Sequence, residues 1–124
     1  MIYFAHPVNT YNTFIETKVI EKIQEQFPDQ VILNPNHPYI AHLYKKQGMK
    51  IFKKLVKMCD ILICLPFEGG EIGAGKAKEI SWGLKKETPC YYICNTQPFE
   101  YERIYTLNGY NVLTVEETRE KLKK

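Results

Sequence analysis

Apolar residues run unbroken over 1–5 and stop at His6-Pro7, a stretch too short for a helix and rich in β-forming side chains. It predicts a strand that ends in a loop. From about Thr13 the pattern changes: Ile15, Val19, Ile23 and Phe27 recur every four positions with Glu and Lys between them, and Pro28 follows. This predicts an amphipathic helix with a clear stop. Val31-Ile32-Leu33 reads as a short strand closed by Asn34-Pro35-Asn36, and 49–59 as a helix whose apolar side includes Phe52, Leu55, Val56 and Cys59. Asp60 then opens the most apolar run of the chain, 61–65. A strand buried on both faces at the centre of a parallel sheet reads that way.

Residues 69–75 form a loop with four glycines in seven positions and lead into a helix over about 74–86, followed by a strand at 90–94. The stretch 95–108 has no clear period and is expected to be a long loop with room for one helical turn. Val112-Leu113 reads as a short last strand, and Thr114-Val-Glu-Glu117 as a capping box opening a C-terminal helix. Strands alternating with helices predict an α/β three-layer sandwich in one domain, 1–124, on a doubly wound parallel five-stranded sheet of flavodoxin-like order 2-1-3-4-5. Ligands of such sheets bind outside the carboxyl ends of the strands, which gathers the loops at 6–12, 34–44, 66–75 and from 95 onward.

Composition narrows the function classes. At 124 residues and 44% hydrophobic content the chain suits one core and needs neither disulfides nor a structural metal. Seventeen Lys and Arg against 14 Asp and Glu give a formal charge of +3, too weak a bias to imply nucleic acid or a membrane as partner. No apolar run approaches the roughly 20 residues of a membrane span, and the start lacks the basic, long apolar pattern of a leader, so a soluble cytoplasmic protein is expected. Cys59, Cys64, Cys90 and Cys94 lack CxxC spacing and read as free thiols, while His6, His37 and His42 lack ligand spacing, so neither metal nor cofactor is expected. Lys46, Lys50, Lys53 and Lys57 recur at helical spacing without interleaved aromatics, which reads as a solvated face.

The segment 66–79 carries the most chemistry. It follows the central strand and opens a helix, where glycines let backbone amides approach a ligand and the helix N-terminus favours an anion. Gly70-x-x-x-x-Gly75-Lys76 covers most of a P-loop, yet Ala77 stands where a hydroxyl must hold magnesium, and Lys78 replaces the third glycine of a dinucleotide fingerprint. Gly75, Glu79 and Gly83 are spaced four apart and share one helical stripe, so the carboxylate is flanked by residues without side chains. That opens a slot in which a ligand can reach Glu79, with Ala77, Ile80 and Leu84 free to pack on the sheet. A surface Glu79 paired with Lys76 at i,i+3 fits the same spacing.

Three motifs in order add to this reading: Ile2-Tyr3-Phe4-Ala5-His6-Pro7, Lys57-Met-Cys-Asp60-Ile-Leu-Ile, and Gly75-Lys-Ala-Lys-Glu79-Ile-Ser-Trp-Gly83 followed by Lys85-Lys-Glu-Thr-Pro89. They resemble the Y-L-A-G-P first strand, the Asp-led central strand and the G-x-x-x-E-x-G-x-A helix of the nucleoside 2-deoxyribosyltransferase family, including its nucleotide N-glycosidase relatives. The resemblance spans most of the chain. It implies that Glu79 attacks the anomeric carbon of a nucleoside or nucleotide, releasing the base and leaving a glycosyl ester that a second base or water resolves. It further implies that Tyr3 sits beside the nucleophile and that Asp60 is associated with the leaving base. His6 and the backbone of Gly70, Gly73 and Gly75 are the expected substrate contacts.

Gly73 stands where transferases of the family often carry Asp and hydrolases often carry Ser, and Ser81 stands where a glycine is usual. That loss of polar groups leaves a second class open: a non-catalytic nucleotide-binding or signalling domain on the same fold. Family members are commonly homo-oligomers, and Phe99, Tyr101, Tyr105 and Tyr110 supply aromatic material for an interface, so at least a dimer is expected.

Overall fold

The computed structural model describes residues 1–123. Its elements run β1 (Ile2–Ala5), a 3₁₀ turn at Val8–Thr10, α1 (Phe14–Gln26), β2 (Ile32–Leu33), α2 (Pro38–Gln47), α3 (Lys50–Met58), β3 (Ile61–Cys64), α4 (Ala74–Lys85), β4 (Cys90–Ile93), β5 (Tyr101–Ile104) and α5 (Val115–Leu122). The strands form one α/β sheet in the expected order, β2-β1-β3-β4-β5. β1 pairs in parallel with both β2 and β3, and β3 with β4.

The fifth strand departs from expectation. It lies inside the stretch read as a loop, pairs antiparallel to β4 with Cys90 opposite Ile104 and Ile93 opposite Tyr101, and so makes the sheet mixed. Its burial is half-buried, exposed, exposed, buried, which erases the period-2 signal a strand needs to be read. Val112, expected in that strand, makes only an isolated parallel bridge to Ile72.

Much of the expected loop at 34–44 is helix. His37 accepts the Tyr39 N–H through its side chain and Pro38 occupies the first turn, so α2 has both a cap and a preset φ at its start. Ile40 is its one buried residue, too few to show a helical period. Gly48, at φ +66°, turns the chain between α2 and α3, a conformation that a β-carbon disfavours. Lys46 therefore belongs to α2, while Lys50, Lys53 and Lys57 are exposed on α3.

Side chains of the central strands alternate between two cores on opposite faces. Tyr3, Ala5, Leu62 and Cys64 pack with Ile40, Leu55, Val56 and Ile80, contributed by α2, α3 and α4. Ile2, Phe4, Ile63 and Leu65 pack with Val19 and Ile23 of α1 and with Phe99. Each fully buried aliphatic chain contributes about 1.5–3 kcal/mol, so these strands anchor the sheet end at which the loops converge. The α5 capping box is formed as expected. All four cysteines are free, three buried and Cys94 exposed. No helix among the described residues is long and apolar enough to cross a membrane.

Candidate active site

A cavity of about 400 Å³ opens at the carboxyl ends of β1 and β2. Tyr11 of the β1–α1 loop, Ile40 and Tyr44 of α2, Phe52 of α3, Lys76 of α4 and Thr118 of α5 line it, with Gly73 and Gly75 at the start of α4. Its walls are mostly apolar, as small-molecule sites are.

One turn below Gly75, Glu79 is fully buried. The Tyr3 hydroxyl donates to Glu79 Oε2 at 3.0 Å, and Lys76 Nζ donates to Oε1 at 3.2 Å and Oε2 at 3.3 Å. The i,i+3 pair with Lys76 is thus present, but in the interior rather than on the surface. Lys76 lies between the carboxylate and the cavity, with Nζ 5.6 Å from the centre of the Phe52 ring. Burial, and then the Glu79 charge, hold the Tyr3 phenol far above its ordinary range, so Tyr3 remains a hydrogen-bond donor. Tyr11 is pushed up to about 12, by burial first and then by Glu79 and Glu16.

The glycine stripe is asymmetric. A β-carbon on Gly75 would have Met49 Cε at 4.0 Å as its nearest neighbour, whereas one on Gly83 would meet Cys90 Sγ at 2.9 Å. Gly83 therefore lets α4 lie close on the sheet and opens no space, and the open end of the stripe is at Gly75.

The other expected site residues separate. Gly73 and Gly75 line the cavity. Gly70 lies in a different hollow with Tyr92, Tyr110 and Asn111, where its carbonyl accepts the Tyr92 hydroxyl at 3.0 Å. His6 is fully buried and reaches Glu16 rather than the cavity, with Nε2 2.7 Å from Glu16 Oε2. Asp60 stands at the amino end of β3, the opposite edge of the sheet from the cavity, because the run it opens leads away from it. Its side chain is 74% exposed and accepts the Met1 ammonium at 2.9 Å, a hydrogen bond and charge that hold its carboxyl below the usual range.

Tyr11, Glu16, Asn36 and Thr118 were not singled out from the sequence. Tyr11 had a signal, since it lies in a loop expected at the ligand edge. Glu16 reads as a polar position of an amphipathic helix, and nothing local marks it as buried. Of the aromatics expected at an interface, Phe99 is buried, Tyr101 packs edge-on against Phe27 and Tyr91, and Tyr110 packs against Tyr92. Tyr105 alone is largely exposed, at 78%. No protein-family model, curated protein or solved structure matches the chain.

Proposed function

We propose that this chain cleaves the N-glycosidic bond of a nucleoside or nucleoside monophosphate, with Glu79 as nucleophile and a second base or water as acceptor. The observation that supports this most is the buried constellation of Glu79, Tyr3 and Lys76 directly behind an apolar cavity. A carboxylate kept out of water, with its orientation fixed by a phenol and its charge balanced by an ammonium, suits attack on an oxocarbenium-like carbon. Lys76 must swing from Glu79 for the attack to occur. Glu79 then bonds to the anomeric carbon, the bonding pair of the C–N bond leaves with the base, and the acceptor later displaces the glycosyl ester. Tyr3 holds Glu79 Oε2 throughout. Asp60 is too far round the sheet for the leaving base; Tyr11, which faces the cavity and keeps its proton, is better placed to hydrogen-bond the base, which takes its proton from water as it leaves.

The same reading carries the finer fold, a three-layer arrangement, supported by the two cores on opposite faces of the sheet. It also carries a cytoplasmic setting, and an assembly of at least two copies, the latter supported by Val8 and Tyr44, which line the cavity and remain exposed. Light scattering at micromolar concentration reads the assembly directly, and a mass near 14.6 kDa excludes it.

The test of the chemistry is Glu79→Gln, which keeps the acceptor for Tyr3. It is expected to abolish release of free base from a panel of deoxynucleosides, ribonucleosides and their monophosphates while leaving the circular dichroism spectrum unchanged. Full activity in that variant excludes Glu79 as nucleophile. The lack of a side-chain polar group at Gly73, on the cavity wall, favours one rival, a binding or signalling domain. Saturable binding of panel members to the unaltered chain with no free base on chromatography identifies that rival.

A further inference from the structure

The first turn of α4 has no cap of its own, because Gly73 at the N-cap position has no side-chain oxygen. Free N–H groups in such a turn are where an anion binds. Here the place is taken by α5. The Ala74 N–H donates to Thr118 Oγ1 at 2.9 Å, and Thr118 Cγ2 lies 3.1 Å from where a Gly73 β-carbon would stand, with the Phe67 ring at 3.3 Å. The Thr118 hydroxyl has no proton left to offer a ligand, since it donates to the Thr114 carbonyl at 2.8 Å. One turn further along α5, Lys121 pairs with Glu71 at 2.6 Å and fixes the helix against the glycine loop.

Among the described residues the one charged side chain on the cavity wall is Lys76, and its hydrogen bonds go to Glu79. A phosphate that drew Lys76 away would leave a buried carboxylate uncompensated beside a second anion. A neutral nucleoside brings no second anion to that carboxylate and has Tyr44, Phe52 and Ile40 to pack against.

Resting on the glycosidase reading above, we infer that the cavity takes the uncharged nucleoside in preference to its 5′-monophosphate, and that Thr118, by occupying the Ala74 N–H, sets this choice. Thr118 is a specificity residue here, and it acts by denying the phosphate its donor.

The experiment compares wild-type, Thr118→Ala and Thr118→Ser proteins on ligand pairs that differ only in the 5′-phosphate, such as deoxyadenosine and its monophosphate or thymidine and its monophosphate. Affinity is read by equilibrium competition and cleavage by free base on chromatography. In the wild type the nucleoside is expected to win by at least about tenfold, the value of one charge-assisted hydrogen bond. Thr118→Ala removes the hydroxyl and the covering methyl, and is expected to raise the affinity for the monophosphate about tenfold, whereas Thr118→Ser keeps the cap and the wild-type preference. Equal or better use of the monophosphate by the wild type overturns the inference, and base release in that case leaves the glycosidase reading standing. An unchanged ratio in Thr118→Ala overturns the role of Thr118. Preferential binding of nucleosides without base release supports the selectivity and removes the catalytic reading, while no binding of either ligand overturns both.

Discussion

His6 Nε2 stands 2.7 Å from Glu16 Oε2, in a contact that joins the loop after β1 to the first turn of α1 beside the cavity. The imidazole is stacked on Phe4 at 3.9 Å, and its Nδ1 lies 3.0 Å from the Phe4 carbonyl oxygen. Glu16 also accepts the Asn12 N–H at 3.0 Å and Asn36 Nδ2 at 3.0 Å, which brings in the loop after β2. Three segments are thus tied at one carboxylate, and two of them supply Pro7, Tyr11 and Pro35 to the cavity wall. His6 and Glu16 thus tie the loops that wall the cavity, and neither lines it.

That pair makes stability depend on pH. Burial pushes the His6 value below its ordinary 6.5, against the pull of Glu16 and the Phe4 carbonyl. Burial alone would raise Glu16, but the hydrogen bonds from His6, Asn12 and Asn36 outweigh it and hold the carboxyl below its ordinary 4.5. Below pH 6.5 the unfolded chain takes up a proton at His6 that the folded one resists, and below 4.5 the same holds at Glu16, so both groups lose stability on acidification. The urea midpoint is expected to fall steadily from about pH 7 to about pH 4. His6→Gln should flatten the upper part of that fall and Glu16→Gln the lower part. A midpoint independent of pH in the wild type would refute this assignment.

Much of this architecture is readable in the sequence because its carriers are local. Ile15, Val19, Ile23 and Phe27 announce α1, the run from Ile61 announces the central strand, and Thr114 with Glu117 announces α5. β5 was hidden because Glu102 and Arg103 are both exposed on an edge strand, and α2 because only Ile40 is buried. In the site, Glu79 and Tyr3 meet across 76 positions, a contact that only the resemblance implied. Asp60 was misplaced for a related reason: the start of a strand and its carboxyl end lie on opposite edges of a parallel sheet, and four residues of β3 separate them. Thr118 acts across 44 positions through a single hydroxyl, which no period or motif encodes.

The two glycines flanking Glu79 should behave in opposite ways. At Gly83 a β-carbon would lie 2.9 Å from the sulfur of Cys90, which is itself fully buried in the sheet, so Gly83→Ala forces α4 outward. A loss of about 1–3 kcal/mol is expected, the usual cost of overpacking. At Gly75 the new methyl finds no neighbour closer than 4.0 Å, and alanine is the better helix former, so Gly75→Ala should unfold no earlier than the wild type. Chemical denaturation of the two variants reads this directly, and equal losses would mean that α4 does not lie on the sheet in this register.

Lys76→Met tests whether the ammonium is what makes a buried Glu79 tolerable. Methionine keeps an unbranched stem over the Phe52 ring but removes both hydrogen bonds to the carboxylate, leaving Tyr3 as its one remaining side-chain donor among the described residues. Breaking a buried pair from one side strands the other charge, at about 3–5 kcal/mol, whereas replacing both partners by neutral groups costs far less. Lys76→Met alone should therefore lower the unfolding free energy by about that amount, and adding Glu79→Gln should recover most of it, because the neutral amide needs no counter-charge. The double-mutant cycle isolates the coupling from the effect of the lost lysine stem. If Lys76→Met costs as much in the Glu79→Gln background as in the wild type, the two side chains are uncoupled, and Lys76 has no part in holding the carboxylate behind the cavity.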